Sequence, residues 1–404
     1  MKLRDVRELL RLRPLELNRT RRLLAACHDV EDLRRAARRR LPRPVFDYVD
    51  GGADQECSLA DNLQAFARRR YLPRILRGAA DTTTTTQWFG RSAAAPIILG
   101  PTGYTRMMHR DGELAVARAA GRHRLPYVLS TVSTTSIEDL LASGHPDLWF
   151  QLYIWRNRRL TFGLVERAAA AGYQVLEITV DTVVPGNRVR DARNGLAIPP
   201  QLSLRTLLDI ALRPAYWIQM LGSPAITLAN TGEIPGTDGD LTVQNLASQF
   251  DPGITWTDVE KIRGLWRGPL LLKGVIGPED ARRALDAGVD GLHLSNHGGR
   301  QLDRVVTPLD TVAAVRGAVG EQCCLLVDSG IRHGSDVAAA IALGADGAVV
   351  GRPYLYGLMA AGEPGVEHVL GLLQAQLLRT MQLLGVASVQ ELRQAGATLF
   401  WAGS

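Results

Sequence analysis

The segment Leu294-Ser-Asn-His-Gly-Gly-Arg-Gln-Leu-Asp303 sets His297 and Arg300 three residues apart, with two glycines between them. An imidazole can take a proton near neutral pH, and a guanidinium fork can clamp a carboxylate. The glycines let the backbone pass close to a ligand. A lone histidine is usually structural; the neighbouring arginine favours proton abstraction from a substrate that carries an acid group. Lys273 ends the apolar run Leu270–Gly274 and is one of three lysines in the chain, with Lys2 and Lys261. A cation in such a place calls for an anion or an anionic cofactor beside it. Asp328-Ser-Gly-Ile-Arg332 and Val350-Gly-Arg-Pro353 offer loop amides and arginines suited to a phosphate. A different chemistry for the same residues is a lyase, with Lys273 forming a Schiff base to a phosphorylated substrate.

These residues need a scaffold that gathers distant segments. Short apolar runs recur at Ile97–Gly100, Tyr127–Ser130, Trp149–Tyr153, Val175–Val180, Leu270–Gly274, Gly291–Ser295, Leu325–Asp328 and Ala348–Gly351, with helix-like stretches between them. Eight strands buried on both faces and alternating with helices predict a (β/α)₈ TIM barrel. Ala287-Gly-Val-Asp-Gly291 and Leu343-Gly-Ala-Asp-Gly347 read as repeated turns from helix to strand. The polar residues Ser130, Gln151, Tyr153, Thr179, Asp181, Lys273, Ser295–Arg300, Asp328–Arg332 and Gly351-Arg352 fall at the C-terminal ends of these runs. That is the face on which barrels build active sites.

The fourth and fifth runs, ending at Val180 and Gly274, lie 94 residues apart, so a long insertion follows strand 4. Residues 193–250 read as a lid or docking segment. Its stretches Leu204–Leu212 and Tyr216–Leu221 fit either helices packed on the barrel or a peripheral membrane patch. Leu207–Leu221 is interrupted by Asp209 and Arg213 and is too short to span a bilayer. Residues 1–43 read as a basic amphipathic helical arm stopped at Leu41-Pro-Arg-Pro44, residues 44–392 as the barrel and 393–404 as a C-terminal tail.

The 404 residues carry a formal charge of +6, but residues 1–43 hold 14 basic against 6 acidic side chains. The rest of the chain is therefore slightly acidic, which argues against a nucleic-acid-binding core and leaves the arm as a solvated face or an anionic-surface contact. With 46% hydrophobic residues and 40 glycines there is ample material for a folded core. Cys27, Cys57, Cys323 and Cys324 show no metal-binding spacing, and no signal peptide precedes them, so a reduced cytoplasmic setting is expected.

Ser295-Asn-His-Gly-Gly-Arg-Gln-Leu-Asp303, with Lys273-Gly, Asp328-Ser-Gly-Ile-Arg and Gly351-Arg-Pro in the same order, resembles the FMN-dependent family that oxidises L-2-hydroxy acids. The likeness runs from about Asp32 to Leu392. Phe250-Asp-Pro-Gly-Ile-Thr-Trp256 and Trp266-Arg-Gly-Pro269 look most like bacterial quinone-linked L-lactate dehydrogenases. The resemblance implies FMN across the barrel mouth, its phosphate held by Arg332, Gly351 and Arg352 and its ribityl chain near Asp328 and Ser329-Gly330-Ile331. Pro101, Thr102, Gly103, Ser130, Gln151, Thr179 and Ser295 would line the rest of the cofactor, with Lys273 near N1 and O2.

By the same resemblance Arg188, Arg300 and Tyr48 would bind the substrate carboxylate and Tyr153 would lie near its hydroxyl. Asp181 would pair with His297 as it takes the proton. Electrons would pass to quinone, another carrier or oxygen, and relatives of this kind are often tetramers. Val132 stands where several oxidases have an aromatic residue, and Gly103 where they often have alanine; Gly103 and the insertion tilt the reading toward an acceptor other than oxygen. Attachment to the cytoplasmic membrane face is the companion expectation, and a catalytically silent flavin-binding protein is the bland alternative.

Overall fold

A computed structural model of the protein describes residues 16–195, 208–209, 211–230 and 246–401. An antiparallel hairpin, β1 (Thr86–Trp88) and β2 (Arg91–Ala93), precedes eight barrel strands. These are β3 (Ile97–Leu99), β4 (Tyr127–Ser130), β5 (Leu148–Tyr153), β6 (Val175–Thr179), β7 (Leu270–Val275), β8 (Gly291–Leu294), β9 (Cys324–Val327) and β10 (Gly347–Val350). They pair in parallel and in sequence order, and β10 closes on β3. All eight apolar runs are strands, so the predicted barrel is the observed fold.

Side chains alternate along a strand, and this parity divides the barrel interior into levels. Ile98, Val128, Trp149, Val175, Leu271, Leu326 and Val349 form an apolar plug, joined from below by Trp88 and Ala93 of the hairpin. Trp88 meets Trp149 edge to face, with ring centroids 6.5 Å apart. The hairpin turns on Phe89 and Gly90, both at positive φ, as a two-residue turn matching the strand twist requires. One step further along each strand, Gln151, Glu177, Lys273 and His293 share the inward parity and form a polar level on top of the plug.

The two predicted helix-to-strand turns are built alike. Gly288 and Gly344 adopt positive φ, and the aspartates that follow reach the next strand over. Asp290 accepts from the Leu270 amide and Asp346 from the Leu325 amide, each at 2.8 Å. The carboxylate thereby satisfies a strand's first donor and pins the register.

The segments outside the barrel differ from the sequence reading. In place of one N-terminal helix, the described part contains two, Arg19–Ala25 and Val30–Arg40, with Asp29 capping the second by accepting from the Asp32 amide. Leu33 and Ala37 are fully buried, so this part packs on the core; Arg35, Arg38 and Arg39 face outward, while Arg34 reaches Asp50 and Arg40 the Ala360 carbonyl. The helix ends before Pro42, and Arg43–Asp50 starts anew with Pro44 in its first turn, where a missing amide costs nothing. Residues 1–15 lie outside the described part. At the other end, residues 393–401 do not trail. Arg393 pairs with Asp346 and Glu321, and Phe400 stacks on Tyr71.

In the insertion, helix Pro214–Met220 buries Tyr216, whose hydroxyl donates to the Met107 carbonyl at 2.8 Å. Leu208, Leu212, Trp217, Ile218 and Leu221 are exposed. The segment thus packs on the barrel along one side and shows an apolar face on the other. Most of Leu204–Leu212 lies outside the described residues, and among those described no single helix is long and apolar enough to cross a membrane.

Candidate active site

The C-terminal ends of the strands surround a cavity of about 860 Å³, lined by residues at the end of each barrel strand or in the loop after it and by Tyr48 and Val49 of the helix before the barrel. Three residues around it, Tyr104, His297 and Ser329, hold positive φ without being glycine. Such conformations gather where surrounding contacts dictate the backbone.

His297 is fixed twice. Its amide donates to Ser295 Oγ at 2.9 Å, and Nδ1 lies 2.9 Å from Asp181 Oδ1. A carboxylate on Nδ1 keeps the proton there, so Nε2 carries the free lone pair. Burial pushes the His297 pKa below the ordinary 6.5; Asp181 opposes this and Lys273 adds to it. Burial alone would raise Asp181, but His297 and Lys273 outweigh it and hold its carboxyl at about 2. At neutral pH the pair is therefore a neutral base backed by an anion, ready to stabilise an imidazolium.

Lys273 sits below this pair, 4% exposed, with Nζ donating to Ser295 Oγ at 3.0 Å. Asp181 and Asp328 lie 3.8 and 4.0 Å away. Burial disfavours its charge, yet Asp181, Asp328 and Glu177 raise its pKa above that of a free lysine. The neighbouring carboxylates favour the protonated amine, which lacks the lone pair a Schiff base needs. Gln151 bridges neighbouring strands, accepting from Ser130 Oγ at 3.0 Å and donating to Thr179 Oγ1 at 2.9 Å.

Arg188 and Arg300 flank the Tyr48 ring, their guanidinium carbons 5.7 and 5.1 Å from its centroid. Arg300 Nη1 donates to the carbonyls of Tyr48 and Gly51 at 2.6 and 3.0 Å. Among the described residues neither arginine has a carboxylate within ion-pair distance. Burial, followed by Arg188, lowers the pKa of Arg300 to about 9. Two such cations in one cavity form a site that awaits an anion. Tyr153 lines the same wall, beside Phe250.

At the far end Asp328 accepts from Ser295 Oγ and Ser329 Oγ, at 3.0 and 2.6 Å. Gly330 sits at φ 109°, where a Cβ would meet the Asn62 carbonyl at 2.3 Å; only glycine fits. Arg352 spends its guanidinium on the carbonyls of Val49, Gly298 and Gly51, so it locks three loops together. Arg332, Ser329, Gly330, Ile331 and Gly351 line the cavity beside it, and Pro101, Thr102 and Gly103 form the facing wall. A Cβ on Gly103 would come within 2.6 Å of Val132 Cγ2, which couples those two positions.

The sequence reading missed Tyr104, although it directly follows Pro101-Thr-Gly103, and Asp191, one turn after Arg188; both line the cavity. It also missed Glu177 and His293 below it. Their signal was an ionisable residue in the middle of an apolar run.

A wide slot with a cationic floor, a glycine-lined phosphate end and a base beside paired arginines defines a barrel oxidoreductase with a phosphate-bearing cofactor. Residues 37–398 match the family model described as FMN-dependent dehydrogenase, and the chain belongs to that family with FMN as its cofactor. The slot suits that cofactor, since Lys273 offers a buried cation and the Gly330 and Gly351 loops offer amides. An L-lactate dehydrogenase of Caulobacter vibrioides is 42% identical over 367 residues, covering 90% of this chain and 95% of that one. The crystal structure of the monotopic membrane protein (S)-mandelate dehydrogenase superposes with a TM-score of 0.87 at 36% identity, covering 93% and 99% of the chains. Mandelate oxidase with (S)-4-hydroxymandelic acid gives 0.79 at 40% identity, covering 91% and 98%.

Proposed function

We propose that the protein oxidises an L-2-hydroxy acid of the lactate or mandelate type to the 2-oxo acid, with His297 as base. The observation that carries this is the His297–Asp181 pair, 2.9 Å apart, in one cavity with Arg188 and Arg300. The two guanidiniums take the carboxylate, and Tyr48 between them sets its depth. Tyr153 faces the hydroxyl. His297 Nε2 accepts a proton from the substrate, and Asp181 stabilises the imidazolium that results. FMN, when bound, supplies the two-electron acceptor. Lys273 favours negative charge on the cofactor side of the cavity, and Ser130, Gln151, Thr179 and Ser295 hold the polar edge.

Anaerobic absorbance spectra before and after addition of L-lactate, L-mandelate and glycolate test the reading. Bleaching of the oxidised-flavin band by one of them is the expected result; a flavin spectrum that none of them bleaches would refute the substrate class. Arg300→Lys loses the planar fork. With a charge-assisted hydrogen bond worth about 1.5–3 kcal/mol, KM should rise roughly tenfold to a hundredfold while flavin reduction at saturation changes less. Steady-state kinetics separates the two parameters.

For the second half-reaction we infer a membrane-borne carrier such as a quinone in place of oxygen. The exposed Leu208, Leu212, Trp217, Ile218 and Leu221 on the insertion favour it, as does the likeness to a monotopic membrane dehydrogenase. Flotation with anionic liposomes at low and high salt should carry the protein upward. Rapid reoxidation by air with stoichiometric peroxide would assign oxygen as the acceptor.

A further inference from the structure

Beneath the cofactor cavity lies an ionic cluster that the chemistry above does not use. His293 of β8 is wholly enclosed, and Glu177 of β6 is 1% exposed. His293 Nδ1 is 2.8 Å from Glu177 Oε2. Its other nitrogen, Nε2, is 3.2 Å from Asp328 Oδ2, an ion-pair contact off the straight hydrogen-bond line. Between them on β7 stands Lys273, in register with His293. Leu326 of β9 is also in register with His293 and brings no charge.

A neutral imidazole donates from one nitrogen only. With a carboxylate at each nitrogen, a neutral ring would aim a lone pair at an anion, and the enclosed imidazole has no exposed edge through which solvent could relieve it. One extra proton must therefore reside in the Glu177–His293–Asp328 cluster, and the ring between the carboxylates is its place. Glu177 and Asp328 are then matched by His293 and Lys273, the latter shared with Asp181. Although burial opposes the charge, Glu177 and Asp328 push the His293 pKa up to about 9.

Asp328 links this cluster to the cavity. It accepts from Ser295 Oγ, which in turn receives the Lys273 ammonium and the His297 amide. It also accepts from Ser329 Oγ, which receives the Gly298 amide. The loops after β8 and β9 are thus tied to one carboxylate, and the imidazolium holds that carboxylate from below.

We propose that Glu177 and His293 form a proton-holding positioning pair: the buried imidazolium fixes Asp328 for the cofactor and makes FMN affinity depend on a single proton. When His293 loses that proton, Asp328 loses one of its two cations and only Lys273, shared with Asp181, remains to balance it against Glu177, so the floor of the cofactor site loosens. The direction follows from the raised value. The stabilisation is complete below the ordinary histidine range and is lost as pH rises through about 9.

FMN binding to flavin-stripped protein, followed by quenching of FMN fluorescence from pH 6 to 10, tests this without any substrate. In the native protein the affinity should be flat to pH 8 and fall in a one-proton transition near 9. His293→Gln should bind FMN about tenfold more weakly or worse at pH 7, as loss of a charge-assisted bond implies, and should lack the transition. The isosteric Glu177→Gln removes one of the two carboxylates and should move the transition to lower pH; it carries the test if His293→Gln does not fold. Ionisations of FMN itself are common to all samples. A His293→Gln profile identical to the native one, or a Glu177→Gln transition left where it was, would overturn the proposal.

Discussion

His297→Gln should retain FMN and reduce it roughly 10²–10⁴-fold more slowly, the range that a general base contributes. Glutamine can still donate to Asp181, so the loop geometry survives while the lone pair at Nε2 disappears. Stopped-flow absorbance under anaerobic conditions reads the reduction directly, without the second half-reaction. The native enzyme should also show an acid limb in kcat/KM below pH 6.5, because burial holds the His297 pKa under that value. Below this limb the base is already protonated and cannot accept a second proton. The variant should lack the limb; unchanged reduction kinetics would remove His297 from the role of base.

Lys273→Met should be the most destabilising single change at the site. Methionine matches the volume of the stem, but it leaves Asp181 with His297 alone and Asp328 with His293 alone to hold their pKa values down, where Lys273 had assisted both. Removing one partner from a buried ionic group costs about 3–5 kcal/mol. Urea unfolding of the flavin-free protein should show a loss of that order at pH 7. The loss should shrink as pH falls toward the ordinary carboxylate range, where the variant's freed carboxyls take up protons. A variant as stable as the native protein would mean that Lys273 is not the ion that balances them.

The barrel was legible because each strand is a short, nearly unbroken apolar run, whereas the helices between are mixed. The β1–β2 hairpin was not, since Thr86-Gln-Trp and Arg91-Ser-Ala have no apolar alternation and owe their pairing to the plug beneath the barrel. The gathering of polar residues at one rim was readable because all eight strands are parallel and their C-termini share one face. The roles within that rim were less so. Arg352 followed a strand in the manner of a phosphate ligand, yet its three nitrogens meet backbone carbonyls, a matter of loop paths that spacing does not encode. Glu177 and His293 escaped notice because only the ends of the runs were searched for charge. The basic arm misled through its composition: arginines on the outer face of Val30–Arg40 hide Leu33 and Ala37, which belong to the core.

The left-handed backbone at Tyr104, His297 and Ser329 has an implication for how this protein could change. Each of these side chains occupies a conformation that a glycine would adopt at lower cost, by about 1–2 kcal/mol for an ordinary residue. At His297 the bond to Asp181, and at Ser329 the bonds to Asp328 and the Gly298 amide, offset that strain, so the cost is carried by side chains that shape the site. The rim is thus where durability and catalytic competence conflict, and a search for hardier variants does better in the hairpin and the outer helices than around the cavity mouth.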